Sequence, residues 1–335
     1  MEEKVLLSHG SGGKQTNNLI NNLFLKYFDN EIINELNDSA QLNLNSTKIA
    51  FTTDSFVVNP IIFSGGDIGK LAVCGTVNDL AMSGAKPLYL TSAFIIEEGF
   101  TLESLEKIVR SMSIAAKEAG VSIIAGDTKV VEKGGVDGVF INTSGIGTIY
   151  ENVNCKANNA KPGDLVIVNG TLGDHGMTIM CERSGINITG DLKSDCAPLN
   201  SLVDCILKVC PKVHVFRDAT RGGVAAVLNE IADMSEVSIE LDEDKIPLSE
   251  EVKGACELLG LDPLYIANEG KLCAFVPEEY GDKVLTEMKK HPLGKKASII
   301  GRVVKSENKN VYLRTIIGGK RIVDMPSGEQ LPRIC

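Results

Sequence analysis

Acidic residues in this sequence recur where an apolar run stops or a helix begins. Asp54 closes "KIAFTTD", Asp67 stands ahead of Lys70 in "GGDIGK", Asn78 and Asp79 follow in "TVNDLAMSG", and Asp127 ends "VSIIAGD" just before Lys129. Any one of these carboxylates is an ordinary cap or turn residue. Four such clusters, each delivered to the end of an element, exceed what capping requires. Oxygens gathered in this way are hard donors of the kind that hold Mg2+ on the phosphates of a nucleotide, with Lys70 and Lys129 available to phosphate oxygens. On a helix Asp67, Leu71, Cys74 and Asn78 share one stripe, which is expected to turn its polar ends toward a common cleft.

The second half adds "RDATRGG" (217–223), whose glycines open a helix with amides free for an anion, and "NEG" (268–270). Glu269 follows an apolar run and precedes Gly270, a position suited to a base, a ligand or a plain turn acid. The four histidines, His9, His175, His214 and His291, are scattered and outline neither a triad nor a histidine-rich metal site. The last residue is Cys335. Prenylation needs a cysteine four from the end, where Pro332 stands, and the nearest upstream cysteine, Cys273, is too remote for a metal tail. What is left is a reactive thiol on an arm, loosened at Gly328, stiffened at Pro332 and given a cation by Arg333, which favours thiolate.

The common nucleotide fingerprints are absent. "GGKQT" and "GDIGKL" both fail the Walker A pattern, and no G-x-G-x-x-G turn or kinase catalytic set is present. An ATP site here must belong to another architecture.

The elements that must position these residues alternate. A glycine-rich arm and an amphipathic helix occupy 1–40, carrying Leu19, Leu23 and Tyr27 at helical spacing. Strands and helices over 41–150 form an α/β or α+β unit: a helix after Asp67 ends near Gly84, and another runs from about Thr101 to Ala119. Pro162 and Gly163 turn into a second unit, 151–309, with helices at 174–184, near 199–209 and near 249–259. Two short strand-like runs and the tail fill 310–335.

Composition limits the alternatives. The 335 residues allow about two domains, and a net charge of −10 argues against nucleic acid and against an anionic membrane surface. The start lacks a signal-peptide core, and no stretch approaches the length of a spanning helix. Nine cysteines without a C-x-x-C fit a reduced, cytoplasmic protein better than a disulfide framework or a zinc site.

Taken together, "HGSGG", "TTDSFVV", "GGDIGKLAVCGTVNDLAMSGAKP", "AGDTKVV", "RDATRGGVAAVLNEIA", "ANEGK" and the terminal "PRIC" closely resemble the HypE hydrogenase maturation factors. These belong with aminoimidazole ribonucleotide synthetase, selenophosphate synthetase and thiamine monophosphate kinase. The likeness spans essentially the whole chain, and the terminal tetrapeptide is its most specific part. Ala219 stands where many members have proline.

The resemblance implies a two-domain PurM-like fold whose first domain closes a β-barrel across a homodimer, with a flexible tail. It implies a carbamoyl dehydratase in which a HypF-like carbamoyltransferase loads Cys335 and Mg-ATP drives dehydration to thiocyanate. The nitrile is then passed to a HypC–HypD complex for [NiFe]-hydrogenase. By resemblance and position, Asp54, Asp67, Lys70, Asn78, Asp79, Asp127, Thr128, Gly12 and Gly13 serve ATP, with Asp54, Asp79 and Asp127 on the metal. Lys129 and Glu269 fall beside the carrier Cys335, for orientation and proton removal. A kinase or cyclo-ligase of the same superfamily would explain every motif except the tail.

Overall fold

The computed structural model describes residues 4–10, 14–35, 40–44, 48–186, 190–305, 308–326 and 333–335. Gly12, Gly13, Gly328 and Pro332 lie outside the described residues.

After a 3-10 turn at Leu7–Gly10 come three consecutive helical segments, Lys14–Leu19 (α1), Ile20–Phe24 and Leu25–Phe28 (α2). They are followed by β1 (Ile49–Phe56), a small hairpin of β2 (Ile62–Phe63) and β3 (Gly66–Asp67), and α3 (Ile68–Met82). Next come β4 (Ala85–Glu97), α4 (Leu102–Ala119), β5 (Ser122–Val131) and β6 (Val139–Ile149). Strands β1, β6, β4 and β5 form one sheet in that order, parallel only between β4 and β5.

Local chemistry fixes the two helices on this sheet. Asp67 caps α3 by accepting from the amides of Gly69 (2.7 Å) and Lys70 (3.0 Å). Apart from its ends α3 is buried all round, between the sheet, α4 and the second unit. Helix α4 is capped by Thr101 and ends at Gly120, whose left-handed φ of 70° suits glycine. Both helices cover one face of the sheet. The opposite face is bare and carries Phe51, 71% exposed, with Ile49 and Ile95.

The second unit contains β7 (Leu165–Val168), α5 (Asp174–Ser184), α6 (Asn200–Val209), β8 (Val215–Asp218) and α7 (Gly223–Met234). It continues with β9 (Ser238–Asp242), α8 (Glu250–Leu259), β10 (Leu272–Val276), α9 (Gly281–Lys290) and β11 (Ser298–Val304). Finally β12 (Val311–Arg314) and β13 (Lys320–Ile322) join the same sheet, in the order β13-β12-β9-β11-β7-β10-β8. The strand-like runs expected in a separate C-terminal segment therefore lie at one end of this sheet, β13 at its edge and β12 between β13 and β9, parallel to β9.

The two units share packing. Ile179, Cys196, Ala267 and Ile334 belong to the core of the first unit although they come from the second half of the chain. Ile334 is 3% exposed, and its burial contributes about 2 kcal/mol to holding the last residues in place. The arm expected to be loose is, over residues 333–335, packed and hydrogen-bonded.

Candidate active site

The cleft between the units holds a polar cavity of about 580 Å3. Strand β1 brings Thr52 and Asp54 to it, the C-terminal part of α3 brings Asp79, and the end of β8 brings Arg217 and Asp218. The following loop adds Arg221, the loop before β10 adds Glu269, and the chain terminus adds Cys335.

Burial raises the carboxyls of Asp54, Asp79 and Asp218, and Asp79 adds to the rise of the other two. Asp54 is lifted above its ordinary value by burial and by Asp79, against the Ser55 amide that donates to it at 2.9 Å. Burial also lifts Asp79, whose Oδ2 accepts from the Thr52 hydroxyl at 2.8 Å. Asp218 is pushed up to about 7 by burial and then by Asp79 and Asp54, with Arg217 opposing. Like charges crowded in this way favour a bound cation. Among the described residues no group of three or more His, Cys, Asp or Glu stands close enough to hold a metal ion alone. Mg2+ does not need such a group, since it keeps waters and binds through one or two carboxylates plus substrate phosphates. The donor chemistry of Asp54 and Asp79 fits it.

Glu269 is buried, 3% exposed, and its Oε1 has no hydrogen-bond partner. Burial, then Cys196, Asp195, Asp218 and Asp54, push its carboxyl well above the ordinary range. The loop that carries it is tied down beneath. Asp195 accepts from the amides of Glu269 and Gly270, both at 3.1 Å, and from Lys271 Nζ at 2.7 Å. Burial works against the Asp195 charge, but Lys271 holds it below the usual carboxylate value. Gly270 has no alternative here, because a Cβ would fall 1.9 Å from the Asp195 carbonyl oxygen.

Cys335 lines the same cavity as this carboxyl. Burial and Glu269 push its thiol above the ordinary range. The expectation that Arg333 favours thiolate is corrected by its direction. Arg333 has a left-handed φ of 50°, and its guanidinium turns to Asp137 (2.7 Å) and the Val57 carbonyl (2.9 Å) instead.

Several other expected residues fall elsewhere. The stripe Asp67, Leu71, Cys74, Asn78 does not face an open cleft. Leu71 and Cys74 are core, and Asp67 caps α3 with its carboxyl raised chiefly by burial. Asp67 and Asp79 stand near opposite ends of the helix, about 18 Å apart along its axis. Lys70 donates to the Gly65 carbonyl at 3.0 Å. Asn78 is an inter-unit joint. Its Nδ2 donates to the carbonyls of Ala197 (3.2 Å) and Glu269 (3.3 Å), and its Oδ1 accepts from the Leu199 amide (2.7 Å).

Asp127, Thr128 and Lys129 lie on β5, at the far edge of the sheet from β1. There Lys129 pairs with Asp127 at 2.9 Å and holds it below its ordinary value. Within one chain, Lys129 is thus apart from Cys335 and Glu269. Beside Asp127 and Thr128 opens a second cavity of about 250 Å3, lined by Phe24, Phe28, Phe94 and Ile124, with the buried Ser92 hydroxyl unpartnered. At the start of α7 the Gly223 amide donates to the Thr220 carbonyl at 2.9 Å.

Arg217, Asp218, Arg221 and His175 were not legible as site residues. His175 Nε2 lies 2.7 Å from the carbonyl of Ile334, so a lone histidine just inside a helix touches the chain terminus. No spacing rule connects positions 175 and 334.

Comparison with known proteins identifies the family and the fold. The N-terminal domain of AIR synthase related proteins matches residues 36–149, and the C-terminal domain matches 161–314. The chain is 49% identical to carbamoyl dehydratase HypE of Azotobacter vinelandii over 331 residues, 99% of this chain and 97% of that protein. It superposes on hydrogenase maturation protein HypE in complex with ATP with a TM-score of 0.95 and 47% identity, covering 98% and 99% of the two chains. For a HypE–HypF complex the values are 0.82 and 56%, covering 92% and 99%. A thiamine-monophosphate kinase from Stenotrophomonas maltophilia shares the fold at 20% identity, with a TM-score of 0.67, covering 93% and 98%.

Proposed function

The chain belongs to the HypE carbamoyl dehydratases of hydrogenase maturation, within the AIR synthase related proteins, and on that premise we propose how its residues divide the reaction. It is an ATP-dependent enzyme that turns a thiol-bound carbamoyl group into a thiocyanate, the source of cyanide for [NiFe]-hydrogenase. The kinase or cyclo-ligase alternative has only a fold likeness in its favour. Cys335 is the carrier, and the observation that carries this assignment is its position in the cleft against the unpartnered, buried carboxyl of Glu269.

The chemistry follows from the bonds. The carbamoyl oxygen takes the γ-phosphoryl group of ATP: the new C–O–P link forms, the bond to ADP breaks, and nitrogen gives up one proton. The C–O bond then breaks as the second nitrogen proton leaves, giving S–C≡N and phosphate. Glu269, raised in pKa and lining the same cavity as the carrier thiol, accepts a proton from nitrogen. Arg217 and Arg221 offer cationic groups to developing phosphate charge.

Asp54 and Asp79 would hold Mg2+, which when bound would neutralise phosphate charge. The cavity beside Asp127 and Thr128 suits the purine of ATP, with Ser92 as a polar anchor in an apolar wall. Asp127 and Lys129 stand at one edge of the sheet and Asp54 at the other, so they meet only if a second copy lays its sheet alongside. The bare apolar face with Phe51 supports such a homodimer, closed as a barrel.

A docked thiol pushed up in pKa is a poor nucleophile. Loading by a HypF-like carbamoyltransferase therefore needs the tail out of the cleft, and dehydration needs it in. We assign the nitrile's next acceptor to a HypC–HypD complex and the setting to the cytoplasm, where nine unpaired cysteines stay reduced. Among the described residues no helix is long and apolar enough to cross a membrane.

Mixed dimers test the composite site. D127N and C335A proteins, each inactive, are mixed after subunit exchange. A site shared between chains restores about a quarter of the activity, since half the dimers are mixed and each has one intact site. No recovery despite confirmed exchange would refute the shared site.

A further inference from the structure

The carrier thiol must be held still while its cargo reacts, yet the cargo changes from nothing to carbamoyl to nitrile. A handle independent of the cargo has to be main chain. Helix α5 supplies one. His175 is fully buried with Nε2 2.7 Å from the Ile334 carbonyl and Nδ1 2.8 Å from Ser194 Oγ. A carbonyl only accepts, so the proton sits on Nε2, and Nδ1 accepts from the Ser194 hydroxyl. The Ser194 oxygen in turn receives the Cys196 amide at 3.1 Å. Burial holds His175 below its ordinary pKa, hence neutral with one N–H to give.

About two turns along the same helix, Arg183 Nη2 donates to the Arg333 carbonyl at 2.8 Å. From β1's end the amides of Val57 and Asn59 reach Cys335 O (3.1 Å) and Arg333 O (3.2 Å). Each of the last three residues is thus gripped through its backbone.

We propose that α5 is a latch for the carrier, in which His175 and Arg183 read the carbonyls of Ile334 and Arg333 and hold Cys335 against Glu269 whatever it carries. His175, aligned by Ser194, is a positioning residue for the dehydration. The inference rests on Cys335 being the carrier for its catalytic meaning, though the docking itself does not.

The test is alkylation of Cys335 by N-ethylmaleimide in the full-length protein, followed by peptide mass spectrometry, with the partly exposed Cys205 as internal reference. H175L should raise the Cys335 rate relative to Cys205 roughly three- to tenfold, the weight of one buried hydrogen bond. H175Q, whose amide N–H can reach the same carbonyl, should restore protection. An unchanged ratio in folded H175L would overturn the latch. If H175L fails to fold and both thiols react together, R183A decides: a raised ratio supports the latch and an unchanged one refutes it. Failure of the carrier assignment reads differently, as a ratio that still responds while no carbamoyl ever appears on Cys335.

Discussion

Glu269→Gln keeps the shape of the side chain and removes its ability to accept a proton. The carboxyl is 3% exposed, has an oxygen without a partner, and is raised well above its ordinary value by burial and by Cys196 and three carboxylates around it. That arrangement matches a base waiting for the N–H of the cargo. A positioned base contributes about 10²- to 10⁴-fold, so single-turnover dehydration of the carbamoylated protein should slow by that factor, about 3 to 5 kcal/mol in the barrier. Loading by the carbamoyltransferase and ATP affinity by calorimetry should change little. The wild-type rate should rise with pH through the elevated Glu269 pKa, while E269Q is flat.

Stability moves the other way. A carboxyl whose folded pKa lies above its unfolded 4.5 gives stability that is fully present below 4.5 and lost as pH rises through the folded pKa. At neutral pH the variant should therefore melt higher than wild type. A variant that dehydrates within fivefold of wild type, or that loses ATP binding, would refute the role.

Asp218 rises from 3.8 to about 7, so its stabilising protonation is complete below 3.8 and lost as pH passes 7. D218N should exceed wild type in urea stability by about 2 kcal/mol at pH 8 and by only about a few tenths of a kcal/mol at pH 4, the full ~4 kcal/mol being halved for partial exposure. Lys271 and Asp195 form a pair only 9% and 5% exposed, so K271M leaves a buried charge uncompensated and should cost about 3 to 5 kcal/mol in equilibrium unfolding. Phe51→Glu on the bare sheet face should yield folded monomers by sedimentation; a persistent dimer would remove the argument from that face.

Much of the fold is readable from punctuation. Gly120 and Gly185 end α4 and α5 where left-handed caps are needed, and the predicted 174–184 helix appears with those bounds. The types of the candidate residues Asp54, Asp79 and Glu269 were legible, but only Glu269 stands beside a glycine, and Asp54 and Asp79 lie within β1 and α3 rather than at their ends. Their grouping was not legible. Strand order sets Asp54 and Asp127 on opposite edges, three strand spacings or about 14 Å apart, and no local pattern encodes that order. Helical periodicity put Asn78 on a stripe with Asp67, but could not say that the surface it meets is the second unit's backbone. Arg333 is two residues from the thiol in sequence, yet its guanidinium pairs with Asp137 instead.

The most direct test weighs the C-terminal peptide. The protein is incubated with the carbamoyltransferase and carbamoyl phosphate, then given Mg-ATP. Cys335 should gain one carbamoyl group and then lose one water. ATP consumption with an unmodified Cys335 would contradict the account and mark the protein as acting on a free substrate.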